Sequence, residues 1–190
     1  KIILIVAGIF TLISLFHFVL NYQNTFDYIF GDRDLLRAKN LLNNFQIYGS
    51  EMNYAYGSRV PGGFLYYYLF ILLNIFKSPD LIYLGNFTLI FLSIIFLFIS
   101  ITKLYNFRVG IVAILFLVTP PDITNQLVIN WNPTFGFGLY LLGVSCFINF
   151  IIYHKKKWLI LSLIITSFTI QIHFSFVAFL FFIFLENLFA

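Results

Sequence analysis

A small set of polar residues stands out from an otherwise apolar chain because their side chains exchange protons or bind anions and polar ligands. Asp32, Asp34 and Asp122 carry carboxylates, His173 an imidazole and Arg59 a guanidinium. Asn130, Trp131, Asn132 and Gln171 add further hydrogen-bonding groups. Acidic and histidine side chains near membrane depth are costly to keep there, so they are functional candidates by default. A plainer role stands beside each. Asp32 could cap a helix, and Asp34 in the first turn could serve the helix dipole or pair with Arg37. Asp122 follows Pro120–Pro121 as a solvated turn residue would, and His173 could be a satisfied buried histidine.

The elements that must position these groups follow from composition. Of 190 residues, 61% are hydrophobic, 22% aromatic and only 9% charged. Soluble domains carry about 25% charged residues, and one core of this size could not bury so much apolar surface. Lipid is the expected solvent. The expected fold is all-α, a polytopic transmembrane bundle over residues 1–190, a single domain that is itself a piece of a longer chain.

Apolar runs cover Ile2–Leu20, Phe64–Phe76, Leu81–Ile101, Val109–Thr119 and Phe135–Tyr153, with a last run from Trp158 onward. Ile2–Leu20 is long enough to cross a hydrocarbon core of about 30 Å. No small-x-small cleavage site follows it, so it reads as an uncleaved first helix rather than a signal peptide. The final run is too long for one untilted span, and Gln171 and His173 interrupt it near its outer end.

Residues 21–63 are different in kind. They hold Asp27, Asp32, Asp34 and Glu51 against Arg33, Arg37, Lys39 and Arg59. Arg33–Phe45 reads as an amphipathic helix, with Leu35, Ala38, Leu42 and Phe45 on one face and Gly31–Asp32 as its N-cap signal. Gly49, Gly57, Pro61, Gly62 and Gly63 make the remainder a loop returning to the membrane.

Basic residues fix sides. Lys1, Lys103–Arg108 and Lys155–Lys157 are assigned to the cytoplasm, which leaves 21–63 and Asp122–Thr134 outside. Two full crossings between the outer loop and Lys103 would break that rule. Phe64–Phe76 spans only about 20 Å as a helix, so a re-entrant or interfacial course there would restore it. The number of crossings between residues 64 and 103 stays open at this level.

Other classes find little support. No basic face interleaved with polar residues is present, so no nucleic-acid partner is expected. The single Cys146 inside an apolar stretch can build neither a disulfide nor a CxxC metal site.

The order of motifs carries a resemblance. The stretch GDRDLLRAKNLLNNFQIYGSEMNYAYGSRVPGGFLYYYLF resembles the first outer loop of bacterial GT-C membrane glycosyltransferases. The relatives in view are protein O-mannosyltransferases and aminoarabinose transferases, of the glycosyltransferase family 39 kind. The shared elements are Arg33–Asp34 with Ala38–Lys39, Tyr48–Gly49, Pro61–Gly62–Gly63 and Leu65–Tyr68, followed by WNPTFGFGLYLL and QIHFS.

The resemblance implies transfer of a sugar from a polyprenyl-phosphate donor to an acceptor glycan, lipid or protein. The site would face outward from the bacterial cytoplasmic membrane, among membrane lipids. Asp34, with Asp32 as the alternative, would be the base that activates the acceptor. Asp122, Asn130, Trp131 and Asn132 would line the donor cavity with Gln171 and His173, and Arg59 is available for the lipid phosphate. Attack by a hydroxyl on an anomeric carbon needs a proton acceptor and groups that stabilise the departing phosphate. Trp131, Tyr66 and Tyr67 could pack on sugar faces or on the isoprenoid chain. Some relatives use a divalent metal, but no ligand set of suitable spacing stands out, and no other cofactor is implied. A transporter or lipid flippase using the same outer cavity is the alternative. It should show internal repeats with paired broken helices, and no repeat is visible.

Overall fold

The computed structural model describes residues 31–41, 48–51, 59–77, 79–118, 132–180 and 183. Its body is helical: α1 (Gly31–Lys39), α2 (Phe64–Phe76), α3 (Pro79–Leu104), α4 (Phe107–Val118), α5 (Asn132–Tyr153) and α6 (Lys156–Ile172). A short 3-10 turn, Phe174–Phe176, follows α6. Strands β1 (Tyr48–Glu51) and β2 (Arg59–Pro61) form a small antiparallel pair, with Tyr48 opposite Pro61 and Glu51 opposite Arg59. That pair lies where a plain loop is expected. Strands of four and three residues containing Gly49 and Pro61 leave no alternation to read.

Two helices are long and apolar enough to cross a membrane, over Gly85–Leu104 and Thr134–Tyr153. They lie parallel, side by side. Asn86 Nδ2 reaches the Thr134 carbonyl at 3.4 Å, a Cβ on Gly138 would sit 3.1 Å from Ile90, and Asn149 Nδ2 donates to Ser100 Oγ at 2.6 Å. α6 runs back against α5, with the Ser162 hydroxyl donating to the Gly143 carbonyl at 2.8 Å. Ser93, Ser100, Ser145, Thr166 and Thr169 return their hydroxyls to the carbonyl four residues earlier. These groups are thus satisfied inside their own helix or by the neighbouring one, whereas Thr102 Oγ1 of α3 is buried without a hydrogen-bond partner among the described residues. Helices pack this way when no water is at hand.

Two apolar clusters hold the helices together. The first joins Ala38 of α1 and Leu41 just beyond it to Leu65, Tyr66, Leu69 and Leu72 of α2, Ile82 of α3, Phe135 of α5 and Ile172 of α6. The second joins Ile90, Ile94, Leu97 and Phe98 of α3 to Ile114 of α4 and Leu141 of α5. Other apolar side chains face outward: Ile160, Leu161 and Ile164 on α6, and Val112 and Phe116 on α4, the last 76% exposed.

α2 occupies Phe64–Phe76, the bounds of the apolar run, but does not run the length of the bundle. Lys77, in the left-handed region at φ 55°, ends it and turns the chain back on itself. Tyr68 then reaches Asn86 at 3.3 Å, while Leu72 and Phe76 close on Gly85. The short helix therefore lies along only the first part of α3, and α3 alone continues to Lys103.

The long final run divides. His173 is extended at φ −149° and stops α6, and helix resumes over 177–180. Phe176 stacks on Tyr140 at 5.1 Å, and Phe179 meets both Tyr140 and Phe147. The chain thus reverses at His173 and starts back along α5. The described part of this run therefore turns at His173 instead of continuing as one overlong span.

Candidate functional site

α1 forms because a polar and an apolar stripe alternate at helical spacing. Its buried stripe is Asp34 and Ala38, continued by Leu41 just beyond the helix; Leu35 is half-buried and Leu36 lies 61% exposed. The expected helix was Arg33–Phe45, but the described one starts at Gly31 and ends at Lys39. Gly31 and Asp32 lie in its first turn rather than before it. Leu42 and Phe45 lie outside the described residues.

The carboxylate of Asp34 sits on this inward stripe, only 2% exposed. Arg33 grips it with two donors, Nε to Oδ1 at 3.0 Å and Nη2 to Oδ2 at 3.3 Å. Tyr66 of α2 donates its hydroxyl to Oδ1 at a long 3.4 Å and accepts from Arg37 Nη1 at 3.1 Å. An arginine can only donate, so its bond occupies a Tyr66 lone pair and leaves the hydroxyl proton for the carboxylate. Burial lifts the Asp34 carboxyl above the ordinary carboxylate value, while the hydrogen bonds and charge of Arg33 pull it back down.

Two expectations change here. The partner of Asp34 is Arg33, and Arg37 acts one step away through Tyr66. Tyr66 is fully buried, so its ring is not a stacking face for a sugar. Its role was missed because nothing local distinguishes Tyr66 from Tyr67 and Tyr68. Helical spacing puts Leu65, Leu69 and Leu72 on one face of α2, with Tyr66 between them at its first turn.

At the same end of the bundle, Gly62 turns with φ +87° against the side chain of Gln171, and a Cβ there would run into it. Phe64 stacks on Phe168 at 4.4 Å. The segment Pro61–Gly62–Gly63 therefore docks on the last turns of α6. His173 follows directly, its Nδ1 2.6 Å from Ser175 Oγ. Sequence reasoning passed over Ser175; only the reversal of the chain at His173 brings the two together. Ile172, between Gln171 and His173, lies in the apolar cluster that also holds Tyr66 and Ala38.

Asp34, Gln171 and His173 thus share one end of the helices with β2 and the first turn of α5. Arg59 lies in β2, Asn132 opens α5 and Asp32 is in α1; nothing beyond these backbone positions is described for the three. Asp122, Asn130 and Trp131 lie outside the described residues. Among the described residues no three His, Cys, Asp or Glu side chains gather as a metal site.

Buried carboxylate, paired arginines and a polar break between two apolar helices define a class only coarsely: a helical protein with two membrane-capable helices and an enclosed acidic group at one end. Comparison with protein families, curated proteins and solved structures finds no match to the chain.

Proposed function

We propose that this chain is the N-terminal part of a GT-C type membrane glycosyltransferase. It moves a sugar from a polyprenyl-phosphate donor to a hydroxyl of an acceptor lipid, glycan or protein, at the outer face of the cytoplasmic membrane. The observation that carries the reading is the Asp34 carboxylate. It is buried yet held by Arg33 and Tyr66, on the helix and the tyrosine-rich segment that bear the resemblance. A carboxylate raised above its ordinary value is a better proton acceptor when ionised, and an attacking hydroxyl needs such an acceptor.

The membrane arrangement belongs to the same proposal. α3 and α5 cross from the outer to the cytoplasmic side, α6 returns, α4 starts back from the cytoplasmic turn, and α2 stays in the outer half. This course puts Lys103, Arg108 and Lys155–Lys157 together on the cytoplasmic side with no violation of the charge rule. Cysteine labelling at positions 55, 105 and 156 checks it: position 55 should be labelled from outside, 105 and 156 only after permeabilisation.

The deciding assay is transfer by the full-length protein in membranes, using radiolabelled polyprenyl-phosphate sugars. Asp34→Asn, expressed at the wild-type level, should lose about 100- to 10,000-fold in rate. Full activity in that variant sinks the assignment. The reversal at His173, a break in an apolar run, favours the transporter or flippase reading. That reading expects movement of the lipid-linked sugar across vesicles with no covalent transfer.

A further inference from the structure

The opposite end of the bundle holds a surface that the glycosyl-transfer reading does not use. Parallel packing of α3 and α5 brings their C-termini together, and the turns Tyr105–Asn106 and His154–Lys155 lead straight into α4 and α6. The two helix ends touch just before these turns: Lys103 Nζ donates to Tyr153 Oη at 3.2 Å. Lys103, Arg108, Lys155, Lys156 and Lys157 are thereby gathered from two separate stretches of sequence, and all are exposed. No carboxylate among the described residues lies at this end, since Asp32, Asp34, Glu51 and Asp80 belong to elements of the other end.

Aromatic groups border these cations. Tyr105 is 67% and Tyr153 41% exposed, and Lys157 Nζ stands 5.6 Å over the Trp158 ring. Tyrosine and tryptophan favour the depth of lipid headgroups, where an apolar ring and a polar tip are both satisfied. Lysines there can extend their heads to the phosphates while their stems stay among apolar groups.

We propose that this end is a seat for the headgroups of anionic phospholipids in the facing leaflet. It rests on the membrane part of the functional reading and not on sugar transfer. Each cation near an anionic leaflet strengthens association by about fivefold, so the effect of several is large where one alone is small.

The test uses the full chain in detergent, titrated with phosphatidylglycerol or with phosphatidylcholine of identical acyl chains and followed by native mass spectrometry. Phosphatidylglycerol should be retained preferentially. The triple variant Lys155→Gln, Lys156→Gln, Lys157→Gln should weaken that retention by about 100-fold, whereas Lys39→Gln with Lys77→Gln at the other end should leave it unchanged. Equal retention of the two lipids, or an unaltered preference in the triple variant, overturns the proposal. So does displacement by equimolar inorganic phosphate, which would mark a phosphate site instead. Resistance to alkaline carbonate extraction reports membrane insertion separately, so failure of the membrane reading is distinguishable from failure of the lipid seat.

Discussion

The two ends of the helix bundle handle charge in opposite ways. At one, Asp34 is enclosed, and Arg33, Tyr66 and Arg37 form a directed chain of donors around it. At the other, Lys103, Arg108 and Lys155–Lys157 stand exposed on two tight turns. A buried charge depends on each partner, because the low-dielectric surroundings make any missing hydrogen bond expensive. An exposed charge is screened by water and salt, so it acts mainly through the sum of its neighbours. Single substitutions should therefore be severe at the first end and mild at the second.

The largest effect tests how tightly the polar loop is docked. Gly62→Val puts a branched side chain at φ +87° and into Gln171. Strain of that kind costs about 1–3 kcal/mol before the steric clash is added. Thermal unfolding in detergent should shift down by several degrees, with sugar transfer falling in step. A variant as stable as wild type would mean that the loop does not rest on α6.

Arg33→Gln comes next and separates structure from chemistry. The folded carboxyl of Asp34 lies above its ordinary value because burial outweighs Arg33. Folding therefore favours the protonated form, so the stability contribution is complete at low pH and declines as pH rises through the folded pKa. Activity that needs the ionised base runs the other way, falling as pH drops through that same pKa. Removing Arg33 takes away the group that pulls the pKa down, so the acid limb of the rate profile should move to higher pH. Movement to lower pH, or none, would break the link between Arg33 and Asp34.

How much of this was legible beforehand differs between the two ends for the same physical reason. The basic turns are readable directly, because Lys155–Lys157 and Lys103–Arg108 interrupt apolar runs whose lengths and bounds nearly match α3 to α5, and the last run begins close to the start of α6. The bounds of α2 agree with the run Phe64–Phe76, yet the course of that helix depended on Lys77 adopting a left-handed turn and Tyr68 meeting Asn86. Composition encodes neither. The amphipathic stripe of α1 marked Ala38 as inward. It could not say that Asp34 shares that stripe, since a carboxylate there is tolerated only with the grip of Arg33 and the hydroxyl of Tyr66 from α2. The reversal at His173 was equally hidden: QIHFS contains neither Gly nor Pro, and the aromatic contacts of Phe176 and Phe179 with α5 hold the chain after it has turned.

Tyr66→Phe sharpens the comparison at finer scale. It deletes one hydroxyl that bridges Arg37 and Asp34 and leaves the packing of the ring intact. A bond to a charged group of this length should be worth about 1 kcal/mol. The acid limb of transfer should move to higher pH, by less than in Arg33→Gln, because the Tyr66 hydrogen bond also holds the carboxyl down. A shift larger than that from Arg33 would reverse the ranking of the two partners.

The smallest effect belongs to the exposed end. Lys156→Gln removes one solvated cation that makes no ion pair among the described residues, so unfolding should stay within about 0.5 kcal/mol of wild type. The same substitution should still weaken retention of phosphatidylglycerol by about fivefold. The two measurements together decide whether the contrast between the ends is one of function or of exposure alone. Unchanged stability with weakened lipid retention means that the cations act together on a partner outside the protein. Destabilisation comparable to Tyr66→Phe would instead show that Lys156 is held by the fold as closely as Asp34 is, and the two ends would no longer differ in kind.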